Sequence, residues 1–491
     1  MGKTLALRNA IDEAIATLPP LDRTILHRCD IDREIPSAVA AEVGISERHL
    51  YRKRARIFER LASLFVGSAT IRRLHQTGDA PDMGDLLAKS RALQENGAQS
   101  AAIDLLENLA SQCGDRADRV RVLLRLAELY ASFGLTNRAQ ITATAAAETA
   151  AQTRRIEIGL EAEMLVARAS ILDECIGSPV QAEQLARHAA DLLTASQCFK
   201  YDPRSASVLI LALCRCCQVY AAEGQLDDLR LASLRAREVL AFLQAPSADT
   251  QIEILFADAL MKSFCLRDLE GSKYDLSRAM DIAQKAGFTL SSIMLATNLA
   301  DVFNLQGNPT SAANILIPIL PIARSLGNRN VLLGVLLALG NSLIEARDFA
   351  GARDIVEEAM RLSTDNKSLN ASRDRAFAKV KLGSKDFIGA LDISRVAQSA
   401  FARIGKSRLI GMPLLIEAEA LASLGHRQAS IKTIRSAIDA LTGRNHPAAL
   451  ARAYDLLGRI SGKRTYRDYA KRLKLEPPAI SADHGSHPNR N

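Results

Sequence analysis

The residues best equipped for chemistry in this chain concentrate near its start. In VAAEVGISERHLYRKRARIFERL, residues 39–61, six lysines and arginines fall within the last fourteen positions, directly behind a small, apolar turn. Residues 46–61 carry six basic against two acidic side chains, a local charge of +4. Cationic groups at this density are what a phosphate backbone attracts, and an arginine can pair bidentately with guanine. Elsewhere the residue types that support catalysis or metal binding are not arranged for it. Gly2-Lys3-Thr4 has the tail of a phosphate loop with no glycine-rich turn before it. Cys214, Cys216 and Cys217 cluster, but no further Cys or His stands nearby at ligand spacing, so core packing is their expected role. No nucleophile elbow, HExxH or paired catalytic carboxylate motif occurs. Neither catalysis nor a cofactor is expected.

The basic stretch needs helices to hold it. LALRNAIDEAIATL has one apolar helical face (Leu7, Ile11, Ala14, Ile15, Leu18) and ends at Pro19-Pro20. LDRTILHRC makes a second short helix. IPSAVAAEVGISERHLY then reads as a helix-turn-helix: Val39 and Val43 face inward, and Ala40 is small where two helices cross. Gly44 turns the chain at positive φ, Ile45 plugs the core and Ser46 caps the second helix. On that helix Leu50, Ile57, Leu61 and Leu64 point inward. Its exposed arc carries Glu47, Arg48, His49, Tyr51, Arg52, Lys53 and Arg56. The first two turns of such a helix reach base edges in the major groove, and the later cations lie against phosphates.

Residues 8–62 resemble region 4 of bacterial sigma factors, through the Leu-Pro-Pro-x-x-Arg opening at Leu18–Arg23 and the Gly-Ile-Ser entry at Gly44–Ser46. The resemblance implies base contacts for Glu47, Arg48, His49, Tyr51 and Arg52, and backbone contacts for Lys53, Arg54 and Arg56. No other sigma region is present, so a self-sufficient sigma factor is not expected.

The remaining chain is different material. Of 491 residues 48% are hydrophobic and 4% aromatic, Trp is absent and no alternating strand pattern occurs, which favours helix. The net charge of +8 permits a polyanion partner without requiring one. The first eighteen residues are broken by charge too often for a signal peptide, and ILIPILPI and VLLGVLLALG are too short to cross a membrane. A cytoplasmic protein is expected.

From about residue 85 a period emerges. Short helix-helix turns recur at Gly97, Gly134, Gly177, Gly224, Gly271, Gly307, Arg347, Lys385 and Gly425, with a mean spacing of 41, and again at Gly462. Seven residues before the turn stands a small residue (Ala127, Cys217, Ala300, Gly340, Ala378, Ala418). Four before it is a large one (Tyr130, Tyr220, Phe303, Leu343, Leu421), and twelve after it usually an alanine (Ala146, Ala189, Ala236, Ala283, Ala359, Ala397, Ala437). Small residues at fixed positions let two helices approach, and a large one fills the groove beside them.

These columns, over residues 85–475, resemble the tetratricopeptide repeat with a unit longer than its usual 34 or so residues. The resemblance implies a superhelix whose inner groove is lined by the column six before the turn: Glu128, Gln218, Asp301, Asn341, Lys379 and Glu419. The whole chain is thus expected to be all-α. Residues 1–66 form a helix-turn-helix domain, 67–84 a linker, 85–475 an α-solenoid of about nine to ten helix pairs and 476–491 a disordered tail. The arrangement resembles bacterial regulators whose repeats bind signalling peptides or proteins. The expected partners are double-stranded DNA, a peptide or protein in the groove, and a second copy of the chain, since one small reader supplies few operator contacts. The alternative is a scaffold without DNA binding, its basic helix meeting RNA polymerase or another protein. No membrane partner is expected.

Overall fold

Three turns in the second half of the chain share one sequence: Arg267-Asp268-Leu269-Glu270-Gly271, Arg347-Asp348-Phe349-Ala350-Gly351 and Lys385-Asp386-Phe387-Ile388-Gly389. In each the cation takes the left-handed conformation, with φ of 54°, 63° and 63°. The aspartate then caps the following helix, accepting from the glycine N–H at 2.8, 2.9 and 3.0 Å, an arrangement that stabilises a helix by about 1 kcal/mol. The glycine lets the carboxylate lie close, since a Cβ there would stand 2.0, 2.5 and 2.7 Å from it as placed. This corrects one sequence expectation. The turn assigned to Gly271 lies four residues earlier at Arg267, and Gly271 sits inside the next helix. Gly224, Gly307, Gly425 and Gly462 turn the chain at positive φ where expected, while Gly97, Gly134 and Gly177 lie outside the described residues.

The computed structural model describes residues 20–31, 39–40, 42–44, 50, 53, 83–95, 98–133, 135–152, 157–173, 178–362, 364–404, 407–442 and 447–475. Near the start, α1 (Pro20–Leu26) runs into a π-helical stretch, His27–Ile31. From Met83 to Leu475 the described residues form ten helix pairs. The first five are α2 (Met83–Glu95) with α3 (Gln99–Gln112), α4 (Arg116–Ser132) with α5 (Thr136–Ala151), α6 (Ile158–Ile171) with α7 (Pro179–Ser196), α8 (Pro203–Glu223) with α9 (Leu226–Leu240), and α10 (Ala248–Met261) with α11 (Leu269–Lys285). In the sixth, α12 (Thr289–Leu305) pairs with α13 (Pro309–Leu316) and α14 (Ile319–Ser325), one helix broken at Pro318, which lacks an N–H to continue it. The last four are α15 (Arg329–Glu345) with α16 (Phe349–Met360), α17 (Lys367–Gly383) with α18 (Phe387–Arg403), α19 (Gly411–Ser423) with α20 (Arg427–Leu441), and α21 (Pro447–Ser461) with α22 (Arg464–Leu475). The fold is an all-α solenoid.

The repeat columns are its core. Ala127, Cys217, Ala300, Gly340, Ala378 and Ala418 are all buried, as are the seven alanines of the later column. The aromatic column also carries polarity between pairs. Tyr130 Oη donates to Glu107 Oε1 at 2.5 Å and Tyr220 Oη to Glu183 Oε1 at 3.0 Å, each carboxylate lying on the second helix of the preceding pair. Among the described residues α8 is a helix long and apolar enough by composition to cross a bilayer. Here 72% of that stretch is buried in the core, against the alanines of α7 and α9.

The first helices of consecutive pairs pack on one another, from α2 on α4 to α19 on α21 with α10 and α12 excepted, while consecutive second helices hardly touch. The more closely spaced layer is the inside of a curve, so the first helices form the concave wall. The curve is tight enough to meet itself. Arg91 of α2 pairs with Asp249 of α10 at 2.9 Å. Gln99 Nε2 donates to the carbonyl of Leu326, Asn328 Nδ2 to that of Ser132, and Thr136 Oγ1 to Asp365 Oδ2 at 2.8 Å. One superhelical turn closes within about six pairs.

Candidate functional site

The concave wall gathers the polar column. Glu128, Gln218, Asn341, Lys379 and Glu419 are half-buried on α4, α8, α15, α17 and α19, and Asp301 on α12 is exposed. Three of the six join one charged array. Lys379 Nζ pairs with Glu345 Oε1 at 2.6 Å, and Glu419 receives the Arg452 guanidinium through both oxygens at 2.8 and 3.0 Å. Arg375 lies one turn before Lys379 on α17 and is felt electrostatically by Asp301.

The surroundings tune these groups. Burial lowers the Lys379 ammonium below its ordinary value, only partly offset by Glu345. Burial pushes the Glu345 carboxyl up, but Lys379 and Arg452 outweigh it and hold the group below its usual range. Asp301 faces water yet is walled in by the superhelix. The lost hydration raises its carboxyl to about 6 against the pull of Arg375. Among the described residues neither Asp301 nor Arg375 makes a hydrogen bond or a direct ion pair. Glu128 and Gln218 accept from Arg125 and Arg215 of their own helices, both at 3.3 Å.

The column picked from the sequence lies on the inner helices, and Glu345, Arg375 and Arg452 stand beside it, outside that expectation. Glu345 stands four residues after Asn341, and Arg375 four before Lys379. One helical turn on either side of the column would have found both. Cys214, Cys216 and Cys217 face the core and not the groove. Among the described residues no group of three or more His, Cys, Asp or Glu side chains is placed to hold a metal ion.

Less of the N-terminal unit is described. Ile25, Leu26, Cys29, Val39, Ala40 and Leu50 form one buried cluster with Val43 packed against it. Gly44 turns the chain at φ 70°, and Arg28 pairs with Glu42 at 2.6 Å. Of the residues assigned to DNA, Lys53 is half-buried and bound to Asp22 at 2.6 Å. Ser46, Glu47, Arg48, His49, Tyr51, Arg52, Arg54 and Arg56 lie outside the described residues, as do residues 1–19 and 476–491.

No family model matches the chain, and no curated protein matches it. Among solved structures it is similar to a Rap protein complexed with competence and sporulation factor, at 12% identity and a TM-score of 0.48 over 71% of this chain and 99% of that one. It is also similar to aspartyl phosphate phosphatase F from Bacillus subtilis, at 10% identity and a TM-score of 0.42 over 72% of this chain and 92% of the other. A third is a signal transduction ATPase with numerous domains that carries a tetratricopeptide repeat sensor, from Pyrococcus horikoshii. The match has 13% identity and a TM-score of 0.37 over 90% of this chain and 71% of that one.

Proposed function

We propose that this chain is a non-catalytic binding protein of the cytoplasm, which holds a peptide or an extended protein segment along the concave wall of its solenoid. The observation that carries this reading is the polar column. Six side chains at one repeat position, Glu128 to Glu419, lie on the inner layer of helices, in a chain whose neighbouring columns are apolar and buried. None of the six is fully buried, so each still reaches the groove, and a concave wall of mixed charge suits a polypeptide better than a polyanion. A photocrosslinking residue placed at Gln218 or Asn341 in cells should form a protein adduct. The same residue at Asp281, exposed on the second helix α11, should form none. Equal labelling from both faces would refute a groove site.

A second reading is favoured by one observation of its own. Val39, Ala40 and Leu50 share a core beside a glycine at positive φ, the geometry by which a helix-turn-helix presents its second helix. On that reading the N-terminal unit binds DNA and the solenoid's ligand regulates it. A gel shift on genomic fragments tests this: binding should weaken steeply with salt and vanish in Arg48→Ala/Arg52→Ala at unchanged helicity. Salt-insensitive or absent binding leaves the scaffold alone.

A further inference from the structure

The inner layer of helices is continuous except at one place. α10 and α12 do not pack on each other as the other first helices do; α11 fills in behind them. The gap lies beside the end of α10, where Lys262–Leu266 is wound as a π-helix, a wider turn before Arg267. It is a cavity of about 280 Å³ opening into the groove. Phe256, Leu260, Phe264 and Leu276 make its apolar floor, and Gln218, Asn298 and Asp301 its rim. Asp301 belongs both to this rim and to the field of Arg375 across the wall.

The two charges sense each other without touching, and each keeps unused hydrogen-bonding capacity. A wall that wanted only internal neutralisation would have brought them together, as it does Lys379 with Glu345 and Arg452 with Glu419. A ligand that supplies a cation to Asp301 and an anion to Arg375 completes two ion pairs within the walled groove, where charges are screened less than on an open surface. Resting on the groove reading above, we infer that this gap is the specificity subsite. It takes a peptide segment with a large apolar side chain in the cavity, a basic group beside it on Asp301 and an acidic group on Arg375. The raised carboxyl of Asp301 is consistent with a charge that lacks its partner.

A positional-scanning library of fluorescent linear octapeptides, screened on the full chain by polarisation, tests the subsite. One arm has free amino termini and the other acetylated ones, which separates a terminal ammonium from a lysine or arginine side chain as the cation. The wild-type chain should select an apolar residue next to a basic group, together with an acidic one. Asp301→Asn should lose the basic preference by about tenfold and keep the apolar one. Ala222→Phe, which fills the cavity from an exposed rim position, should do the reverse. Exchange of the charges, Asp301→Arg with Arg375→Asp, should invert the preferred order of charge, an outcome that loss of folding cannot imitate. Selected peptides without a basic group, or a basic preference that survives Asp301→Asn, would overturn the subsite while leaving the groove. No retention of any octapeptide by the wild-type chain would overturn both.

Discussion

Asn328 holds two distant parts of the chain at once. Its Oδ1 caps α15 by accepting from Val331 N at 3.1 Å, and its Nδ2 donates to the carbonyl of Ser132, the last residue of α4 and 196 positions away. That carbonyl is one of the four that a helix leaves unpaired at its end, and Asn328 is only 2% exposed. The seam that closes the superhelix thus joins side-chain amides offered to backbone oxygens with the Arg91–Asp249 ion pair and the Thr136–Asp365 hydrogen bond. Asn328→Asp keeps the cap and removes the donor, setting a carboxylate against a carbonyl. It should cost about 1–3 kcal/mol and, combined with Gln99→Ala, raise the radius of gyration in X-ray scattering. An unchanged radius would mean that the seam does not hold the turn closed.

Two glycines on α15 should respond oppositely to added bulk. Around Gly334 a Cβ would meet nothing within 4 Å, whereas at Gly340 it would stand 2.9 Å from Val356 Cγ2, a side chain with no exposure. Gly334→Ala should therefore stabilise by about 0.5–1 kcal/mol through reduced chain entropy. Gly340→Leu should destabilise by about 3 kcal/mol or more through overpacking. Urea denaturation of the pair checks both signs on one helix.

What could be read from the residues follows from what repeats. Burial at the crossing of two helices demands a small residue every time, so Ala127, Cys217 and Ala300 stood out in one column and proved buried. The register slipped at Gly271 because glycine serves two purposes here. At Gly307 it allows a positive φ, and at Gly271 it makes room for the Asp268 carboxylate. The shared pattern of Arg267-Asp268, Arg347-Asp348 and Lys385-Asp386 distinguishes the two uses. The seam was not legible at all, since nothing local in Asn328 or Ser132 says that six pairs will close a turn. The gap at α10 lies beside a π-helical winding of Lys262–Leu266 that no spacing rule announces. Asp301 was picked out by its column and its cavity was not.

The cysteine cluster should be chemically silent while the chain is folded. Cys214, Cys216 and Cys217 are 1%, 3% and 0% exposed. Burial raises all three thiols, Cys216 to about 12 and the other two well above the ordinary range, so the reactive thiolate is scarce at pH 8. Maleimide labelling mapped by mass spectrometry should spare these three in buffer and modify them in denaturant. Rapid native labelling at Cys217 would contradict its place between α8 and α9.

The Asp301 carboxyl makes stability itself depend on pH. Its folded value of about 6 lies above the 3.8 of a free carboxyl, so between those values the folded chain binds more protons than the unfolded one. Stability then falls as pH rises through this window, and the full cost of the charge is present above it. Asp301→Asn removes that cost. The variant should be more stable to urea than the wild type at pH 7.5, by less than ~1.4 kcal/mol because water still reaches the carboxylate, and the difference should shrink below about pH 6 and vanish near pH ~3. Because Arg375 lowers the Asp301 value, Arg375→Gln should move the carboxyl midpoint, followed by carbon NMR, further up. A midpoint that stays put in Arg375→Gln would show that the two charges do not share the groove. A wild-type midpoint at the ordinary value would show that the wall does not desolvate Asp301.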